Sequence, residues 1–479
     1  MFFQSLEKVC NDAMALAKAG ENDRAERLLS IAMMQYPNRA ELQFCAGSIQ
    51  LNKGLDGIAI PLLERSAELN RNYSPAWVNL GYAYRRAARI DDARQALRKA
   101  IEIKPDDRDA WLNLACCFIN EGAAAEGEPV ARKAVEMAPE NPRTHWNLGL
   151  LLLEQNKYRE GWREYAYGLD SAERMLRNYA KGEAKTPLLE SLDAIKAGEV
   201  VCVYGEQGIG DEILFTSMLA ELIEDVRARG GDVVLDCHPR LEAVFRRNFD
   251  VPIFPTRKQE YIDWPLTQRV DWVMPMGNLG SFYRNSLQDF PDHHGYLIGN
   301  EERAASYRER LEAKADGRPI VGIAWSGGIR KTMAHYRHIP LAEWLPLLNQ
   351  DALWVSLQYN DHSEEIRQFA HEHGIEILDF PAITQHFDYD ETFALVGALD
   401  LTITVPTSVL HVAGAIGSPC WVVMHHKAAW RECSPDESIP WYPKSHLRFV
   451  RGDGQEGWDK AIEAVSATFA EYLKGRKAA

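Results

Sequence analysis

At 479 residues, with 46% hydrophobic and 26% charged content, the chain has room for two or three domains with sizeable cores and the composition of a folded globular protein. Its 54 basic and 69 acidic residues leave a net charge of −15, which argues against nucleic acid or an anionic membrane surface as a general partner. A local basic pocket for a phosphorylated small molecule stays open. The opening MFFQSLEKVCNDAMALAKAG lacks a basic stretch followed by an apolar core, and no later run is apolar and long enough to span a bilayer, so a cytoplasmic location is expected.

The first third repeats with a period of 34 residues. With units starting at Leu6, Ala40, Ser74, Arg108 and Pro142, the fourth position reads Val9, Gln43, Trp77, Trp111 and His145. The eighth is small, as Ala13, Gly47, Gly81, Ala115 and Gly149, and the eleventh reads Leu16, Gln50, Tyr84, Phe118 and Leu152. This pattern resembles the tetratricopeptide repeat, a helix hairpin whose small residues let two helices approach. Stacked hairpins present a concave face suited to extended peptides. The sixth position reads Asn11, Cys45, Asn79, Asn113 and Asn147. Such amides either bond a peptide backbone, which makes Asn79, Asn113 and Asn147 candidate acceptor-binding residues, or serve hairpin packing. Trp77 and Trp111 are expected in the hairpin core.

After a mixed-charge connector that contains Thr186-Pro187, Val200–Tyr204 reads as a buried parallel strand. Gly205, Gly208 and Gly210 supply a turn with access to positive φ, and a helix with apolar Ile213, Leu214, Met218, Leu219 and Leu222 follows. Strand, turn and helix form an anion-binding corner, yet the turn carries Glu206 and Asp211. It lacks the Lys-Ser/Thr ending of a phosphate loop, and G-x-x-G-x-G is not the dinucleotide spacing. Asp211 therefore either caps the helix or accepts a proton from a hydroxyl in the cleft. Further strands are expected at Asp232–Cys237, Val251–Phe254 and Asp271–Pro275, then a helix at Ser306–Lys314.

A second alternating stretch has strands at Ile320–Trp325, Leu353–Leu357, Ile375–Leu378, Leu401–Val405 and Cys420–Met424. Ser326-Gly327-Gly328 is its glycine turn. Thr407 and Ser408 open a small-residue helix, Val409–Ile416, where hydroxyls and free amides can grip a diphosphate. A closing amphipathic helix is expected at Trp458–Leu473, and Arg451-Gly452-Asp453 is an ordinary turn. The eight cysteines form no C-x-x-C pair and are expected as reduced thiols, and His293–His294, His371-x-His373 and His425–His426 lack partners for a metal site.

The segments GEQGIGDEILF, GIAWSGG, SLQ and TVPTSVLHVAGAIGSPCWVV, with Trp430-Arg431 and Trp441-Tyr442-Pro443, resemble the bacterial heptosyltransferase-like glycosyltransferases, in the branch where tetratricopeptide repeats precede the transferase. The layout is similar to that of O-linked N-acetylglucosamine transferases and flagellin-modifying transferases. The resemblance implies an α plus α/β chain: a repeat solenoid over 1–168, a linker over 169–197, and a GT-B body of two Rossmann-like domains. The acceptor-side domain would span 198–316 and the nucleotide-sugar domain 317–479.

By the same resemblance, Asp211 is the general base for the acceptor hydroxyl, and Arg337 offsets charge on the leaving diphosphate. Gly208 and Gly210 shape the turn. Trp325, Ser326, Gly327, Gly328, Gln358, Thr407, Ser408 and His411 hold the donor. No metal or other cofactor is implied; the nucleotide sugar is a co-substrate, and a protein or peptide, flagellin-like by analogy, is the acceptor. Pro406 stands where the family commonly has Asp, and Glu391 where it often has Asp. Two alternatives stay open: an inert transferase fold acting as a repeat-based adaptor, and transfer to a lipid-linked or oligosaccharide acceptor.

Overall fold

The computed structural model describes residues 5–171, 174–179, 185–328, 337–386, 388–424, 430–432, 438–442, 446–451 and 458–478. His425–His426, Cys433, Pro443 and the Gly452-Asp453 part of the turn triplet lie outside them. The chain divides into two compact units, Met1–Leu152 and Leu153–Ala479. No helix among the described residues is long and apolar enough to cross a membrane.

The described part of the first unit is helical: α1 (Leu6–Lys18), α2 (Asn22–Gln35), α3 (Ala40–Asn52), α4 (Asp56–Leu69), α5 (Ser74–Arg86), α6 (Ile90–Ile103), α7 (Arg108–Glu121), α8 (Ala124–Met137) and most of α9 (Pro142–Glu154). The odd-numbered helices start at the expected unit boundaries. A Cβ at Gly47 would stand 2.7 Å from Leu63 Cγ, and one at Gly81 2.5 Å from Leu97 Cγ, so the small eighth position exists to seat a leucine of the hairpin's second helix. The fourth position has a polar duty as well. Trp77 Nε1 donates to Arg71 O (3.0 Å), Trp111 Nε1 to Pro105 O (2.9 Å), and His145 Nε2 lies 2.8 Å from Pro139 O, each closing the inter-hairpin turn six residues back.

The second unit opens with α10 (Tyr158–Tyr167) and holds two wholly parallel sheets. The first contains β1 (Val200–Tyr204), α11 (Ile209–Phe215), α12 (Leu219–Ala228), β2 (Asp232–Asp236), α13 (Glu242–Asn248), β3 (Ile253–Phe254), β4 (Trp272–Pro275) and α14 (Leu279–Tyr283), in strand order β3-β2-β1-β4. Helix α15 (Glu301–Ala315) leads to the second: β5 (Ile320–Ala324), α16 (Leu345–Leu348), β6 (Leu353–Ser356), α17 (Ser363–His373), β7 (Ile377–Leu378), α18 (Pro381–Thr384), α19 (Asp390–Gly397), β8 (Leu401–Thr404), α20 (Ser408–Ala415), β9 (Cys420–Met424), β10 (Leu447–Arg451) and α21 (Asp459–Ala478). Its order, β10-β9-β8-β5-β6-β7, is that of a doubly wound sheet, which reverses between β5 and β8. Crevices at such reversals lie outside the carboxyl ends of the strands.

Two local departures from expectation have visible causes. The helix after β1 is broken by a 3₁₀ turn at Thr216–Met218, where Thr216 Oγ1 donates back to Ile213 O at 2.6 Å and competes with the helical ladder. The linker over 169–197 is also packed against the first sheet where it is described. Arg174 and Arg177 are buried, Tyr179 donates to Asp236 Oδ2 (2.7 Å), and Leu188 bridges in parallel to Val273 beside β4.

Candidate functional site

Three acid–arginine pairs lie under the carboxyl ends of the first sheet. Glu206 accepts from Arg174 Nη2 (3.0 Å) and the Gly277 amide (3.1 Å). Glu212 accepts from Arg257 Nη1 (2.9 Å) and the His238 amide (2.6 Å), and Asp236 lies 3.5 Å from Arg177 Nη1. Burial pushes Glu212 up to about 7 while Arg257 holds it down, and burial likewise raises Asp236. Arg174 also donates to Tyr165 O (2.5 Å) and Asn278 Oδ1 (2.6 Å), tying α10 to the turn after β1.

That turn is tight for a reason other than the expected one. Gly205, Gly208 and Gly210 are absent from the residues with positive φ. They are glycine where neighbours close in: a Cβ on Gly205 would lie 2.5 Å from Glu212 Cδ, and one on Gly210 2.6 Å from His411 Cδ2. The second contact joins the two sheets, since Gly210 is in α11 after β1 and His411 in α20 after β8. His411 Nδ1 lies 2.6 Å from the Tyr442 hydroxyl, and burial drives the ring down to about 3, with Asp211 opposing, so it is neutral at pH 7.

Asp211 serves as helix cap: its Oδ2 accepts from the Gly208 amide at 3.1 Å. Its Oδ1 forms an ion pair with Arg431 Nη2. Arg431 also donates to Gln207 Oε1 (3.4 Å), and its guanidinium lies 4.6 Å over the Trp430 ring. Trp430 packs with Trp162, Tyr165, Phe215 and Trp441 in one buried aromatic cluster, and Trp162 Nε1 donates to Arg284 O at 2.6 Å. Next to Arg431, Glu432 is buried, burial raises its pKa, and its Oε2 has no partner among the described residues. Arg337 acts electrostatically on both Glu432 and His411, and its carbonyl accepts from the Gly327 amide (2.8 Å).

The second sheet's reversal brings the remaining candidates together. A Cβ on Gly327 would run into Thr407 Cγ2, so the turn after β5 sits directly on the turn after β8. Gly328 has φ of 77°, and Ser326 bridges to His338. Thr407 Oγ1 caps α20 by accepting from the Val409 amide (3.2 Å), and Ser408 Oγ lies 2.5 Å from the Tyr389 hydroxyl. The Gln358 Oε1 accepts from the Trp325 and Ser326 amides (3.0 and 3.2 Å), which makes this residue a brace for the turn. The Trp325 ring is fully buried in the core beside Ile339 and Leu341 and donates to Glu365 Oε2 (3.2 Å).

The asparagine series makes packing contacts. Asn79 Nδ2 donates to Ser48 Oγ (2.8 Å), Asn113 Nδ2 to Asp109 O (2.9 Å) and Asn147 Nδ2 to Cys116 Sγ (3.2 Å). Asn113 and Asn147 are buried. Each amide thus places one N–H bond within the stack of helices. Sequence reasoning passed over Arg174, Arg177, Arg257 and the pairing role of Arg431; a buried ion pair leaves no periodic mark in a sequence.

Residues 78–142 match the family model of the tetratricopeptide repeat. With the helix register, that match makes the first unit a helical solenoid of such repeats, followed by an α/β unit built on parallel sheets. Protein FlbA of Caulobacter vibrioides (strain ATCC 19089 / CIP 103742 / CB 15) is 27% identical over 288 residues, which cover 57% of this chain and 47% of FlbA. The chain thus spans about half the length of that curated relative, and the matched share is larger than the first unit, Met1–Leu152, so the match extends into the second. Among solved structures, MamA from Desulfovibrio magneticus RS-1 is 18% identical, with 35% of this chain and 95% of that one covered at a TM-score of 0.32. YrrB, described as a tetratricopeptide protein with an unusual peptide-binding site, is 19% identical over 34% of this chain and 84% of its own, at 0.30.

Proposed function

We propose that the second unit is a GT-B glycosyltransferase body that takes a nucleotide-activated sugar, and that the repeats recruit a polypeptide acceptor. The carrying observation is the seam at Gly210 and His411, where the turn after β1 meets the helix after β8. Two parallel sheets that face their carboxyl ends toward one seam suit a donor on one side and an acceptor on the other. Asp211 stands on the acceptor side as proton acceptor, while Arg337, Thr407 and Ser408 stand where charge would develop on a leaving diphosphate. The acceptor would be held on the repeats, where Asn79, Asn113 and Asn147 each keep a second N–H beside the one used in packing.

The test is twofold. Thermal stabilisation by a panel of nucleoside diphosphates and nucleotide sugars should single out one nucleotide family, with about 2.7 kcal/mol added at a hundred times the dissociation constant. Asp211→Ala should then abolish transfer to a protein acceptor while folding is retained. A second reading, a repeat-based adaptor with an inert body, is favoured by one observation: both Asp211 oxygens are engaged, one by Gly208 and one by Arg431. Absence of any nucleotide effect, with partner binding intact, would select it.

A further inference from the structure

Arg431 is held in an unfinished way. Its Nη2 serves Asp211 and Gln207, its flat face lies over Trp430, and its Nε is buried without a partner among the described residues. Trp430 is locked by stacking on Phe215 and by edge contacts with Trp162 and Trp441, so the guanidinium plane has a rigid floor. A second cation faces the same groups. Arg337 lies close enough to act on Glu432 and His411, His411 is neutral, and burial shifts Glu432 toward its neutral form.

Arginine grips a phosphate through two adjacent N–H groups. The Nε/Nη2 edge of Arg431 is one such fork, with Nε open and Nη2 occupied by a carboxylate. An incoming dianion needs Nη2, and two anions on one fork repel each other. Asp211 and a phosphate therefore compete for the same edge.

We infer that Arg431 is a shared arginine: without ligand it clamps Asp211, and when a phosphate group enters it turns to that group and frees the Asp211 carboxylate. This rests on the nucleotide-sugar reading above and adds an order to it. The phosphorylated donor binds first, and only then does Asp211 have an oxygen available for an acceptor hydroxyl.

The experiment is calorimetric titration of the full chain with inorganic pyrophosphate and with a panel of nucleoside diphosphates. Removing the competitor should strengthen binding: Asp211→Asn is expected to bind the probe about tenfold tighter than the natural chain, the ratio expected when a competing contact worth about one factor of ten is lost. Arg431→Gln should bind about tenfold more weakly or worse. In the Arg431→Gln background, Asp211→Asn should change affinity by less than about twofold, because the arginine they share is gone. Arg431→Lys keeps the charge without the fork and should remain weakened, with circular dichroism confirming its fold. Equal tightening by Asp211→Asn in both backgrounds would mean simple charge removal and would overturn the sharing. No tightening in either would overturn it as well. If no form binds pyrophosphate or any nucleoside diphosphate, the phosphate-site reading itself falls, a result distinct from binding that is indifferent to Asp211.

Discussion

A methyl group on Gly210 would lie 2.6 Å from Cδ2 of His411, and the imidazole cannot swing away freely because its Nδ1 is held by Tyr442. The seam between the two sheets is therefore set by the absence of one carbon. Gly210→Ala should cost about 1–3 kcal/mol through overpacking, read as a fall of several degrees in the thermal midpoint. A variant as stable as the natural chain would mean that α11 and α20 can part at little cost.

Two buried groups at this end of the sheets should give opposite pH slopes. His411 is driven by burial from an ordinary 6.5 to about 3, so the unfolded chain takes up that proton first. The stability contributed by the neutral ring is full above about pH 6.5 and is lost as pH falls toward 3. Glu212 is raised by burial from 4.5 to about 7, so its contribution is full below about pH 4.5 and is lost as pH rises through 7. Between about 4.5 and 6.5 the two oppose each other. Unfolding free energies from denaturant titrations across this window should fall with rising pH in His411→Gln, relative to the natural chain, and fall with decreasing pH in Glu212→Gln, each by up to about 1.4 kcal/mol per pH unit. Parallel curves would show that these groups do not titrate on folding.

The buried Glu206–Arg174 pair should be intolerant of half-removal. Arg174→Met leaves a buried carboxylate without its cation and should destabilise the second unit by about 3–5 kcal/mol in chemical denaturation. Paired replacement of both residues by apolar side chains should recover much of that loss.

In the repeats, Trp111→Phe removes the N–H that closes on Pro105 O and should cost about 0.5–1.5 kcal/mol. The equivalent Trp77→Phe should cost a similar amount, since Trp77 makes the same bond to Arg71 O. Unequal costs would show that neighbouring repeats compensate differently.

The 34-residue period is legible because units repeat one steric demand, seen where Gly47 faces Leu63 and Gly81 faces Leu97, and the odd-numbered helix starts follow from it. Strand positions were legible to within two residues from their apolar runs, apart from β10, whose Leu447–Arg451 carries two arginines and reads as surface. The role of the glycines after β1 is not legible in the sequence, because close approach by a distant His411 or a buried Glu212 leaves no local trace, whereas positive φ is the usual reason for glycine in a turn. Asp211 and Arg337 stand out in the sequence only through the motifs around them. What binds Asp211 was hidden, since Arg431 lies 220 positions away in sequence and only folding brings it near.

The last helix of the repeat pattern, α10, belongs to the second unit, with Trp162 and Tyr165 buried among that unit's aromatic rings. A fragment of the second unit that starts after Tyr167 would thus lose two aromatic side chains from its interior and expose Phe215 and Trp430 to water. The modular seam visible in the sequence is not the one along which the molecule can be cut. Exchange of repeat arms between such proteins, by recombination or by engineering, would have to carry α10 along with the second unit.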